Sequence, residues 1–274
     1  MPEALMRSLR FNQGFALNRS EIGGMLQFSK TDTPPSDSAL GEYLGLNPYK
    51  ISGLRGWFCK LGLGTSSASN TNLSPFGLLI REFDPMMELA ETQWLLHYHL
   101  ATEHEEKSDA WFYGWNHFIQ PNISFTKSDL EFYIEKQLVE VSNKDAIKKD
   151  TAEFLKTYKD VKALGRLNLI QANKDKTFVA SLSKPPHYLI AAFMLFNTWQ
   201  QRYPLTDTLS LTQLATEPET LGRILIATHA QTKSIILDLQ AKGLVNFSDT
   251  QHEPVTRRYF EEPIELLQQF YQSL

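Results

Sequence analysis

The chain has 274 residues, with 27 lysines and arginines against 31 aspartates and glutamates and a formal net charge of −4 at pH 7. That acid excess excludes a protein that coats nucleic acid indiscriminately, and the single cysteine, Cys59, excludes an intramolecular disulfide and every multi-cysteine zinc site. No apolar run reaches membrane-spanning length, and the first residues lack the apolar core of a signal peptide, so a cytoplasmic protein with no membrane contact is expected.

In chain order, Phe11 to Lys30 carries short apolar clusters and is expected to supply a first helix, followed by a loop over Thr31 to Ser36 around Pro34-Pro35. Residues 38 to 63 read as a helix-turn-helix. A short helix with Ala39, Leu40, Tyr43 and Leu44 breaks at Gly45-Leu46-Asn47-Pro48. Asn47 suits the cap of the next helix and Pro48 its first position. That second helix buries Ile51, Leu54, Trp57, Phe58 and Leu61, with Cys59 as a buried structural thiol, and is expected to turn Lys50, Ser52, Arg55 and Lys60 outward. Such a face suits the major groove of DNA. Gly62 to Asn72 has the composition of a wing, and Ser74-Pro75 opens another short helix.

From Met86 the pattern is helical and aromatic, through Trp94, Leu95, Tyr98, Trp111, Phe112, Trp115 and Phe118. Thr126 and Asp129 form a capping arrangement for a helix to Val141, and Asn143 to Tyr158 is a charged helix burying Ala146, Ile147, Phe154 and Leu155. Leu167 to Ile170 and Thr177 to Val179 flank a polar turn and read as a small hairpin. Tyr188 to Trp199 reads as a core helix. Leu209 to Ala215 is expected as a short helix, and Thr228 to Gly243 as an amphipathic helix carrying Lys233. Leu244 to Phe247 and Val255 to Phe260 then form a wing that holds Arg257 and Arg258, where backbone or minor-groove contact is expected.

The expected fold is therefore mainly α, with tandem winged helix-turn-helix units joined by a helical core. Residues 1–83 form the N-terminal winged helix, 84–186 a helical middle region with a weaker second winged-helix signal, and 187–274 the C-terminal winged helix. Charge is unevenly spread over the chain. Residues 1–83 are net +2, 84–142 net −8, 143–186 net +5 and 187–274 net −3. Contact with DNA must then be local. The basic stripe Lys148-Lys149, Lys156, Lys159, Lys162 and Arg166, with Lys174 and Lys176 on the hairpin, is one place for it, and a solvated face balanced by Asp145, Asp150, Glu153 and Asp160 is the other reading.

The densest group of potential metal ligands is His97, His99, Glu103, His104, Glu105 and Glu106. On a helix, His97 and His99 project about 200° apart, so they do not share one ion, and the H-E-x-x-H spacing is absent. Trp111, Trp115 and His117 with their aromatic neighbours fit a base-stacking platform, but helical spacing and the acidic surroundings favour core packing. There is no P-loop, no G-x-S-x-G elbow and no recognisable acid–base pair, so no catalytic residue, metal or cofactor is assigned.

Asp84-Pro85, Thr92-Gln93-Trp94-Leu95-Leu96-His97, and Trp111-Phe112-Tyr113 with Asn116 resemble a bacterial family known as a domain of unknown function. Phe11 and Phe15, Leu44 to Asn47, and Leu73 to Gly77 match further motifs of that family, and the resemblance covers roughly residues 11 to 183. The chain departs from it at Gln13-Gly14, at Asn18 and at Pro48-Tyr49. Members are often encoded beside phosphoadenosine-phosphosulfate-reductase-like proteins in DNA phosphorothioation and phage-defence islands. The resemblance implies a non-catalytic, DNA-binding subunit of a bacterial DNA-modification or phage-defence system, with double-stranded DNA and the system's enzyme subunits as partners. Asn47, Lys50, Ser52, Arg55, Lys60, Lys233, Arg257 and Arg258 are the expected DNA contacts. The alternative is a scaffold that docks a sulfur-transfer or modification enzyme through the acidic, aromatic middle without touching DNA.

Overall fold

A computed structural model describes residues 9–29, 36–67, 70–102, 108–138 and 143–274. The Pro34-Pro35 loop and the Glu103, His104, Glu105 and Glu106 portion of the His-Glu group lie outside the described residues.

The first helix is shorter than expected. Residues 9 to 18 form an irregular strap with left-handed Arg10, Gln13 and Gly14, and helix α1 (Arg19–Phe28) starts only where the Asn18 side chain accepts from the Ser20 N–H. Helix α2 (Asp37–Leu44) starts on Ser36 and stops at left-handed Gly45. Helix α3 (Pro48–Lys60) starts on Asn47, whose side-chain oxygen accepts from the Lys50 N–H at 2.9 Å. Strands β1 (Gly64–Ser67) and β2 (Asn70–Leu73) form a hairpin, and helix α4 (Pro75–Phe83) follows on a Ser74 cap. Helix, helix, hairpin, helix is the order expected for this part of the chain.

Asp84 accepts from the Glu88 and Leu89 N–H groups, tightening a turn before helix α5 (Ala90–Ala101). Helix α6 (Asp109–Tyr113) runs directly into a π turn, Gly114–Phe118, closed by the Ile119 N–H on the Gly114 carbonyl. Then come strand β3 (Ser124–Phe125), helix α7 (Lys127–Gln137) on a Thr126–Asp129 capping box, and helix α8 (Lys144–Thr157). Strands β4 (Ile170–Ala172) and β5 (Phe178–Ala180) complete a sheet of order β3-β5-β4. Leu167 lies in a single 3₁₀ turn rather than in the hairpin.

The last part repeats this plan. Helix α9 (Tyr188–Arg202) is buried along most of its length. It leads to strand β6 (Thr208–Ser210), helix α10 (Leu211–Thr216) on a Ser210–Gln213 capping box, helix α11 (Leu221–Leu225) and helix α12 (His229–Ala241) on a Thr228–Gln231 capping box. Strands β7 (Val245–Phe247) and β8 (Pro254–Arg257) pair so that the sheet order is β6-β8-β7, before helix α13 (Ile264–Gln272). Leu209 and Ser210, expected at the head of a helix, belong to β6. Its three residues are held by pairing to β8, a contact between distant chain positions that local periodicity does not carry.

The three segments share one continuous core. Phe11 of the strap lies 4.8 Å from Trp57 and 5.7 Å from Trp111, ring centre to ring centre, and Trp111 lies 5.6 Å from Phe154 of α8. Between α5, α8 and α11, His97 Nδ1 and the Tyr158 hydroxyl are 2.8 Å apart, His97 Nε2 donates to the Ile224 carbonyl at 2.8 Å, and Trp115 donates to Tyr158 at 2.9 Å. Each of these contacts is fully buried, so each polar atom needs its partner. Among the described residues no helix is long and apolar enough to cross a membrane.

Candidate nucleic-acid interface

Helix α3 does not present the face expected of it. Its apolar stripe is buried as foreseen, but the strap crosses a second side of the helix at Gly53 and Gly56. A Cβ at Gly56 would lie 2.1 Å from the Phe11 carbonyl oxygen, and one at Gly53 would lie 2.5 Å from that of Asn12. Arg55 and Lys60, expected to point outward, are buried. The Arg55 guanidinium pairs with Asp37 of α2, and the Lys60 ammonium stands 5.7 Å over the Phe11 ring. Lys50 pairs with Glu21 of α1, and the Asn47 side chain is engaged as the helix cap. Only Ser52 of this group is exposed without such an engagement among the described residues. The pair of glycines three residues apart was the sequence signal of a close backbone approach.

At the C-terminal sheet, Lys233 is held between Asp249 and Glu253, at 2.9 Å from each, and these two carboxylates raise its pKa. Arg257 bonds Asp207 at 2.7 Å. Arg258 is exposed, with Asn246 as its side-chain partner at 3.0 Å. The wing here is bordered by acids that already use two of its three cations.

The middle segment differs. Lys148, Lys156, Lys159 and Lys162 are exposed along α8 and the turn beyond it, and carry no ion pair among the described residues. Lys148 and Lys156 are eight positions apart, about 12 Å along a helix axis. Lys159 stands 5.8 Å over the Phe178 ring of β5, which joins this row to the β4–β5 hairpin. Lys174 and Lys176 project from the hairpin tip. Asp175 between them is turned back on the loop, accepting from the Thr177 N–H at 3.0 Å and hydroxyl at 2.7 Å, bonds that lower its pKa.

Two of the four acids expected to balance this stripe, Asp150 and Glu153, turn away from it. Asp150 is 2% exposed and receives the Arg10 backbone N–H at 2.9 Å. Burial raises its pKa to about 7, against the opposing pull of Arg10, with Glu153 and Asp109 raising it further. Glu153 is half-buried and also raised by desolvation. Asp160 accepts the Lys162 N–H. Asp145 is the outward exception, bonded to Lys149 at 2.5 Å. Lys144 and Arg166 are likewise paired, with Glu135 and Glu88. What remains is a one-sided row of six lysines on a helix and the hairpin that follows it. Such a row fits the phosphates of a nucleic acid.

The two described histidines of the His-Glu group, which the sequence did not assign to a metal, are engaged in packing. His97 uses both ring nitrogens inside the core, and the His99 ring packs on Phe76 at 4.7 Å. Trp111 and Trp115 are fully buried rather than a platform.

Two solved structures share this fold, each 18% identical in sequence. "SspB crystal structure" superposes with a TM-score of 0.82, and "Magnesium ion-bound SspB crystal structure" with 0.81, each alignment covering 97% of this chain and 88% of the other. No curated protein matches the chain in sequence. A family described as "Protein of unknown function (DUF4007)" matches residues 42–271, and the chain belongs to that family.

Proposed function

We propose that the protein binds double-stranded DNA through α8 and the β4–β5 hairpin, as a cytoplasmic component of a bacterial DNA-modification or phage-defence system. In this reading the three helix-and-hairpin segments are tandem winged helices. The repeated sheet orders β3-β5-β4 and β6-β8-β7, each with a capped helix directly after its first strand, support it. The observation that carries the reading is the row Lys148, Lys156, Lys159, Lys162, Lys174 and Lys176, exposed while Asp150 and Glu153 of the same helix face inward. The helix preceding a hairpin is the element that winged-helix proteins lay in the major groove, and the hairpin then meets the backbone. Ser52 and Arg258 are the members of the sequence-derived set that stay available for further contact.

Among the described residues no group of three or more His, Cys, Asp or Glu side chains gathers to hold a metal ion.

Binding of a duplex, followed by fluorescence anisotropy over a salt series, tests the assignment. Replacing Lys156 and Lys159 by alanine is expected to weaken binding and to reduce the log–log salt slope by about 0.9 for each phosphate that is no longer neutralised. Affinity and slope equal to those of the unaltered protein would remove α8 from the interface.

A further inference from the structure

A second cluster lies away from the lysine row, where the π turn meets α7 and α11. His117 is exposed on the π turn, its ring 5.7 Å from Phe112 and 5.8 Å from Tyr113. Phe118, next along the turn, packs 5.4 Å from Tyr133 of α7. The turn is fixed from the C-terminal side. Arg223 of α11 donates from Nη2 to the Trp115 carbonyl at 2.9 Å, and Asn116 accepts the Glu219 N–H at 2.6 Å.

The polar groups around this turn form an unbalanced set. Arg223 has no carboxylate partner among the described residues, and its Nε is buried without a hydrogen-bond partner. Glu219, on the turn before α11, pairs with Arg202 at 3.2 Å. The Tyr113 and Tyr133 hydroxyls, both half-buried, make no hydrogen bond among the described residues, and Tyr133 lies within the electrostatic reach of both Arg223 and Tyr113. Burial, then Arg223 and Arg202, lower the pKa of His117, leaving a neutral imidazole with one N–H to give near neutral pH. Among these groups the Arg223 Nε is a desolvated donor with no acceptor, which is costly, and the tyrosine hydroxyls and the exposed His117 ring beside it are open to a ligand.

We propose that Arg223, His117, Tyr113 and Tyr133 form an oxyanion site that takes a phosphate group. A guanidinium, an imidazole N–H and two phenol hydroxyls are all donors, and a tetrahedral oxyanion offers acceptors in several directions. The bound charge would sit beside His117 and offset the repulsion from Arg223 and Arg202. A π turn is a common means of carrying side chains to such a site. The site does not depend on the lysine row, and either can fail without the other.

The test uses the full chain and inorganic phosphate, with chloride at matched ionic strength as the reference. The titration midpoint of His117, read from its ring proton by NMR, is expected to rise in phosphate. The Tyr113→Phe, Tyr133→Phe double variant keeps the packing of both rings and is expected to bind phosphate about ten-fold more weakly. Arg223→Gln is expected to abolish the response, with circular dichroism checking that the variant is folded. A dithymidine phosphodiester separates the sources of the group. Its binding would identify a nucleic-acid backbone, whereas binding of phosphate alone would identify a terminal or free phosphate. An unmoved His117 midpoint, or undiminished affinity in the tyrosine double variant, would overturn the proposal.

Discussion

The carboxylate of Asp150 accepts the backbone N–H of Arg10 at 2.9 Å, closing a contact across 140 positions of the chain. This bond holds the strap against the inward side of the helix whose outward side carries the lysine row. It also places a carboxyl with a pKa of about 7 in the core.

That pKa makes the fold sensitive to alkali. Asp150 binds its proton more tightly in the folded chain than at its ordinary value of 3.8. Its contribution is therefore fully present below about pH 4 and is lost as pH rises through about 7. At about 1.4 kcal/mol per pKa unit, ionisation at pH 8 costs a few kcal/mol. Asp150→Asn keeps an acceptor for Arg10 and removes the charge. Its Tm should exceed that of the unaltered protein at pH 8, with the gap closing at pH 5. Equal gaps at both pH values would count against a buried, ionising Asp150.

His97 acts in the opposite direction. Burial lowers its pKa to about 4, so the folded chain holds a neutral ring. Its contribution is present above about pH 6.5 and disappears as pH falls through about 4. Acid unfolding should therefore begin below neutrality, and thermal melts of His97→Gln should show a shallower decline between pH 6.5 and 4.

Tyr158 joins His97 and Trp115 through one hydroxyl. Tyr158→Phe leaves two buried polar groups without that partner and should lower stability by about 1–3 kcal/mol in urea melts. The lysine row is untouched, so duplex affinity should stay unchanged at temperatures where the variant is folded.

Arg55 separates packing from DNA contact. Arg55→Ala removes the buried partner of Asp37 and should destabilise the fold by about 1–3 kcal/mol, while the salt slope of DNA binding stays as it was. A fall in that slope with no loss of stability would restore α3 as a groove reader.

The strap predicts its own sensitivity. Gly56→Ala drives a methyl group into the Phe11 carbonyl, so one of the two backbones must shift. The expected cost is about 1–3 kcal/mol, or roughly 2–4 °C in Tm for each kcal/mol.

Much of this molecule is legible in its sequence, because caps and apolar spacing are local. Asn47, Ser74, Thr126 and Thr228 all start helices, and the stripe Ile51, Leu54, Trp57, Phe58 and Leu61 is buried. The β4–β5 and β7–β8 hairpins are likewise foreseen within a few residues. What escapes is non-local. Strands β3 and β6 are two and three residues long and exist through pairing to β5 and β8. Arg55 and Lys60 follow outward spacing on α3, yet both are buried, Arg55 paired with Asp37 of α2 and Lys60 over Phe11 of the strap. The same gap affects the interface. All six lysines are visible in the sequence, but the inward turn of Asp150 and Glu153, which leaves those lysines unbalanced, depends on Arg10 and Leu17 of the strap.

The strap also sets an order on biogenesis. Arg10 and Phe11 leave the ribosome some 140 positions before Asp150 and Phe154, on the helix that receives the strap. At about 5–20 residues per second, that interval is on the order of ten seconds. During it, the strap and the Trp57 ring cannot reach their final packing, because Trp111 and Asp150 have not been synthesised. The N-terminal segment is then a nascent chain that waits for its middle, and substitutions in the strap should reduce the yield of soluble protein more than their effect on the finished fold implies.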